Sequence, residues 1–116
     1  MNPAVLVGIG GTLGALARHV VGQRFETAYA DTLAVNVLGS FLLGTIVSAP
    51  VGDPVALAFG TGFCGAFTTF STFAFETVRL YETGRRRAAI ANASVHLLAA
   101  LVAVTLGGLL AGAVVG

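Results

Sequence analysis

Charged positions are sparse enough to divide this chain on their own. The eleven of them leave four uncharged runs, at residues 1–17, 32–52, 54–75 and 88–116. A membrane-spanning helix needs about 17 or more predominantly apolar residues, and each run reaches or approaches that length if the first continues past Arg18 to Val21. The predicted spans are residues 3–21, 33–49, 55–79 and 88–115, in one domain covering residues 1–116. Helix starts are marked by Asn2-Pro3 and Asp53-Pro54, each a capping side chain before a proline, and by Asp31-Thr32. Pro50 ends the second span, and the short connection that follows makes the second and third spans a tight antiparallel pair.

Composition agrees with immersion in a bilayer. A soluble chain of 116 residues with 56% hydrophobic and 9% charged positions would lack the polar groups to cover its surface. The chain reads as a small, all-α integral membrane protein. Cys64 is single and has no partner for an internal disulfide, and lysine is absent, which argues against nucleic acid as a partner. The first span does not read as a cleavable signal, because its positive charges follow the apolar run.

Arginine placement predicts the orientation. Arg18, Arg24, Arg79, Arg85, Arg86 and Arg87 all fall in the segments between spans one and two or between spans three and four. The positive-inside rule then makes those segments cytoplasmic, with both termini and the middle loop external, in a multi-pass protein of the cell membrane.

Small residues predict where helices touch. Gly10 and Gly14, Ser40 and Gly44, and Gly108 and Gly112 are spaced four apart, as close-packed transmembrane helices require. The third span carries more chemistry. Gly60, Gly62 and Gly65 loosen its middle, and Thr68-Thr69 follow with hydroxyls for backbone groups left unpaired, so the third helix is expected to break near its middle. Irregular backbone at membrane depth must be buried in protein or face water, and the carbonyls freed by a break can hold a cation.

Two stripes run beyond that point. Thr69, Thr72 and Glu76 recur at helical spacing with Arg79 three residues on, and Phe63, Phe67, Phe70 and Phe73 form an aromatic stripe. Ring edges are electropositive and can face an anion, although the same spacing also serves packing. Asn36 and Ser40 share a face of the second span, and an amide in hydrocarbon needs a partner, either another helix or a permeating ion. Asn92 and His96 share a face of the fourth span, where hydrogen-bonded packing is the favoured reading for His96. Glu76 and Arg79 read as a local pair at the interface.

Three motifs together resemble a known family, the CrcB or Fluc fluoride channels. They are Gly10-Gly11-Thr12-Leu13-Gly14-Ala15-Leu16-Ala17-Arg18, Thr32-Leu33-Ala34-Val35-Asn36-Val37-Leu38-Gly39-Ser40-Phe41, and Gly62-Phe63-Cys64-Gly65-Ala66-Phe67-Thr68-Thr69-Phe70-Ser71-Thr72-Phe73. The resemblance implies a passive fluoride channel built from two four-helix subunits packed antiparallel, with two pores and a central structural sodium ion. On this chain it implies the backbone carbonyls of Gly65 and Thr68 as sodium ligands and Phe70 and Phe73 as the ring edges that fluoride passes. Ser71 and Thr72 would be hydroxyl donors, and Asn36 a pore contact. Fluoride is small, strongly hydrated and a hydrogen-bond acceptor, so amide and hydroxyl donors can replace its water without a trapping cation. Such a channel lets cytoplasmic fluoride leak out and lowers its toxicity.

Family members that insert in both orientations need little charge bias between the two sides. Six arginines against none predicts one fixed orientation here, and hence one half of a heterodimer with an oppositely biased relative. A small multidrug-type transporter would need a carboxylate in the first span, which has none. An enzyme would need a nucleophile with a base, or a metal cluster, and one Cys with two distant His supplies neither. A non-conducting structural subunit is the remaining alternative.

Overall fold

Helices joined by short turns make up the computed structural model, which describes residues 1–115. Helix α1 spans Pro3–Gly22, α2 Ala28–Ser48, α3 residues 53–67, α4 Phe70–Glu82 and α5 Arg86–Val115. Taken with the interruption between α3 and α4, Asp53–Glu82 is one of four segments long and apolar enough to cross a membrane, beside α1, α2 and α5. The chain is therefore a multi-pass membrane protein of four spans, and its third helix is broken.

The helix ends partly follow the expected signals. Asn2 caps α1, its Oδ1 accepting from the Ala4 N–H at 2.8 Å, and Pro3 opens the helix. Helix α2 starts earlier than residue 33, at Ala28. Thr27 is its cap, with Oγ1 accepting from the Ala30 N–H at 3.2 Å, and Asp31 instead lies in the first turn, where a carboxylate complements the helix dipole. Asp53 likewise lies inside the helix start and Gly52 occupies the cap position without a side-chain bond. Between α4 and α5, Gly84 takes a positive φ of 87° and closes α4, with the Arg85 N–H reaching the Leu80 carbonyl at 2.9 Å and the Gly84 N–H reaching that of Tyr81 at 3.2 Å.

Packing is organised as two glycine seams. Helix α1 lies on α3, where a side chain on Gly10 would strike the Ala58 carbonyl oxygen and one on Gly14 the Phe63 carbonyl oxygen. From the facing side, a Cβ on Gly62 would sit 2.7 Å from the Val7 carbonyl oxygen. Helix α2 lies along α5, with Gly44 against the Val104 carbonyl and Gly107 against that of Phe41. The seam on α5 thus centres on Gly107 with the expected Gly108 beside it, and does not extend to Gly112. Gly108 faces the Ser48 hydroxyl, and Gly112 has no neighbour within 4 Å.

The glycine-rich stretch of α3 does not break the helix. Ala56–Cys64 widens into a π-helix, and the chain re-enters α-helical geometry at Gly65–Phe67 before leaving it at Thr68. Val35 and Thr32 are the most deeply buried large side chains, and Cys64, Phe67, Leu80 and Ala89 complete a small interior. Most apolar side chains lie on the outside of the single chain, as lipid-facing and subunit-facing positions must.

Candidate functional site

The break centres on two consecutive residues in extended conformation. Thr68 has φ −85° and ψ 165°, and Thr69 has φ −149° and ψ 118°. Cys64 closes α3 by accepting from both the N–H and the hydroxyl of Thr68, at 3.0 and 2.8 Å. Thr69 then caps α4, its Oγ1 accepting from the Thr72 N–H at 3.1 Å.

Asn36 supplies what the interrupted ladder lacks. Its Oδ1 accepts from the Thr69 N–H at 2.7 Å and its Nδ2 donates to the Thr69 carbonyl at 3.0 Å. In a continuous α-helix the Thr69 N–H would bond the Gly65 carbonyl, and the Thr72 N–H would bond that of Thr68. Both donors are diverted, one to Asn36 and the other to the Thr69 hydroxyl. The two carbonyls named from the sequence are therefore among those released from helical donors. Between the partners left open for the Asn36 amide, this chain shows a helix-to-helix bond, while Asn36 also borders the adjoining pocket.

That pocket has a volume of about 460 Å³ and lies between α2, α3, α4 and α5. Its wall brings together Asn36, Gly65, Thr68, Phe70 and Phe73 of the predicted set, with Ser40, Thr69 and His96. A Cβ on Gly39 would strike the Thr68 methyl group, so only glycine there lets the break lie against α2. The rings of Phe70 and Phe73 are 5.8 Å apart and tilted by 54°. Phe70 is 79% exposed, standing out from the single chain beside the pocket. The four phenylalanines do not form one stripe: Phe63 stacks on Phe67 at 5.5 Å before the break, and Phe70 pairs with Phe73 after it. Two extended residues between the pairs reset the helical phase.

Ser71 and Thr72 stand outside that pocket wall, on the first turn of α4. Thr72 Oγ1 accepts from Thr69 Oγ1 at 3.0 Å and from Arg18 Nη2 at 3.4 Å, while Ser71 Oγ lies 3.4 Å from Thr69 Oγ1. Arg18 is half-buried and borders a second cleft of about 470 Å³ with Asp31, His19 and Gln23. One turn along α4, Glu76 is buried and accepts from the Thr32 hydroxyl at 3.1 Å. It does not form the expected local pair with Arg79, which is exposed; Glu76 points inward because α2 offers a hydroxyl on that side. Arg18 Nη1, Asp31 Oδ1 and Glu76 Oε1 are buried without partners.

His96, read from the sequence as a packing residue and left out of the predicted pore, lines the pocket. It is 6% exposed, its ring centroid lies 4.6 Å from that of Phe73, and its Nε2 is buried with no hydrogen-bond partner, contrary to the expected hydrogen-bonded packing. Its signal was present, as the one histidine inside a span far from any arginine. Asn92, on the same helix face, is a packing residue, donating to the Thr77 hydroxyl at 2.9 Å.

Comparison with known proteins places this arrangement. Residues 5–108 match the family model described as CrcB-like protein, Camphor Resistance (CrcB). A protein of Natronomonas pharaonis named fluoride-specific ion channel FluC 2 is 54% identical, with 90% of each chain covered. One of the same name from Haloarcula marismortui is 50% identical over 91% of each chain. A fluoride-specific ion channel FluC of Methanocaldococcus jannaschii is 38% identical over 95% of this chain and 94% of its own. With nearly its whole length aligned to such relatives and matched by the family model, the chain belongs to the CrcB family.

Proposed function

We propose that this protein is a passive, fluoride-selective channel that lets cytoplasmic fluoride leave the cell, and that it works as half of an antiparallel dimer. The observation that carries the reading is the meeting of three features in one place: a backbone break, a pocket with two tilted phenylalanine rings, and donors without a competing fixed cation in the pocket wall. A fluoride ion sheds water only where donors replace it, and the exposed Phe70 ring, the Phe73 ring, and the Asn36, Ser71 and Thr72 side chains supply electropositive edges and polar groups along one route. The names of its relatives point to the same ion.

The carbonyls of Gly65 and Thr68, relieved of helical donors, fit a monovalent cation of sodium's preference for oxygen ligands. Bound there, sodium would neutralise carbonyl dipoles at the subunit interface and fix the break. This chain's own residues hold the geometry through Asn36 and Thr69.

The oppositely oriented subunit is taken to be a related chain. Arg24, Arg79, Arg85, Arg86 and Arg87 are all exposed at one end of the spans, whereas Arg18 turns inward. Five exposed arginines against none favours a single orientation, with these loops cytoplasmic and both termini external. The test is fluoride efflux from liposomes containing this chain alone or with an oppositely biased relative from the same genome. Selective fluoride flux only in the mixed vesicles is expected. Robust flux from the lone chain overturns the heterodimer, and chloride-independent fluoride flux in neither overturns the channel.

A further inference from the structure

Resting on the fluoride-channel reading, the geometry points to Arg18 as a positioning residue that turns the Thr72 hydroxyl into a one-way donor for the permeating anion. A threonine hydroxyl has two acceptor positions and one proton. Here both acceptor positions on Thr72 Oγ1 are taken, by the Thr69 hydroxyl at 3.0 Å and by Arg18 Nη2 at 3.4 Å. A guanidinium can only donate, so its contact cannot reverse. The Thr69–Thr72 contact has the geometry of a bond given by Thr69 and not by Thr72, and the Thr69 oxygen already accepts from the Thr72 N–H at 3.1 Å. The Thr72 proton is therefore left for a third group.

Position makes that group an ion in transit. Thr69 lines the aromatic pocket and Arg18 lines the second cleft, and Thr72 touches both. Thr72 thus sits on the polar path between the pocket and the cleft at the arginine-bearing end. Fluoride accepts and never donates, so a hydroxyl free to flip would present its oxygen to the ion for part of the time. Arg18 removes that option without presenting its own charge to the pocket, whose wall it does not join. Through Thr72 its cationic charge also polarises the hydroxyl, as charge-assisted hydrogen bonds do.

The experiment is a double-mutant cycle on fluoride efflux from liposomes holding this chain together with its oppositely biased relative, using protein that elutes from size exclusion as the wild-type species. Arg18→Met and Thr72→Val are each expected to slow efflux about tenfold or more, the size of one charge-assisted bond. Combined, they should slow it by no more than roughly twofold beyond Thr72→Val alone, because the arginine acts through the hydroxyl. Arg18→Gln, which keeps a neutral donor, should recover most of the loss seen with Met. Multiplying effects in the double variant, or Gln no better than Met, would mean that the charge acts on the ion directly, and overturns the proposal. A silent Arg18→Met does the same. Should Arg18→Met fail to assemble, Arg18→Ala alone and with Thr72→Val carries the same cycle. If vesicles holding the wild-type chain together with its oppositely biased relative show no fluoride flux, the channel reading itself fails, which is a separate result from a conducting wild type with a silent Thr72→Val.

Discussion

Replacing Asn36 with alanine should loosen the break in the third span before it affects anything else. The substitution removes a 2.7 Å bond to the Thr69 N–H and a 3.0 Å bond to its carbonyl, and strands both groups in a water-poor interior. Interhelical side-chain bonds in membranes contribute about 0.6–2 kcal/mol each, and an unsatisfied buried group costs about 1–3 kcal/mol. The expected loss is about 2–4 kcal/mol, or roughly a 30- to 1,000-fold fall in the ratio of formed to unformed break. Pulse proteolysis in mixed detergent micelles measures the stability, with Thr105→Val as control, since that hydroxyl bonds only the Leu101 carbonyl of its own helix. Asn36→Asp, which keeps the acceptor for Thr69 but faces its carbonyl with oxygen, should fall between wild type and alanine. Fluoride efflux should decline in step with stability. An alanine variant as stable as the control, or one that loses flux at full stability, would show that the amide serves the ion and not the backbone.

Phe70→Ile and Phe73→Ile should each slow fluoride efflux by up to about tenfold while leaving the protein assembled, since an aromatic edge contact contributes about 0.5–1.5 kcal/mol. His96→Leu should lower efflux severalfold without loss of stability, because Nε2 has no protein partner to lose, and His96→Gln should retain more flux than Leu. Gly10→Val and Gly107→Val should abolish the monodisperse species in detergent, because each new side chain meets a carbonyl of the facing helix. Overpacking of that kind costs about 1–3 kcal/mol or more, whereas Gly112→Val, with no neighbour within 4 Å, should change stability by less than about 0.5 kcal/mol.

What the sequence disclosed followed from local constraints. Four apolar runs, the Asn2 cap and the seam through Gly10 and Gly14 are written in neighbouring residues, and so is a third span unable to stay regular through Thr68-Thr69. Long-range choices were hidden. Nothing near Asn36 says that its amide meets Thr69, 33 residues later, because that pairing depends on how α2 is rotated against α3. The same reason hid Glu76, whose partner Thr32 lies on α2, and the phase of α5, where small residues at 103, 107, 108 and 112 offered two faces of similar composition. The glycines around residue 60 suggested a break, yet Gly62 is used for close approach to α1 and Gly60 faces Ile46 of α2, and the ladder opens only where Asn36 offers replacement bonds.

The two glycine seams also bear on how transport can proceed in time. Helices whose backbones touch, at Gly10 on Ala58 and Gly107 on Phe41, cannot slide by a turn without lifting apart and losing the contacts that join them. A carrier that worked by moving these helices past one another would have to break those contacts in every cycle. On the proposed channel reading, with α1 fastened to α3 and α2 to α5, the ion's own hops between donors would set the rate of efflux, whose temperature coefficient should be close to that of aqueous diffusion.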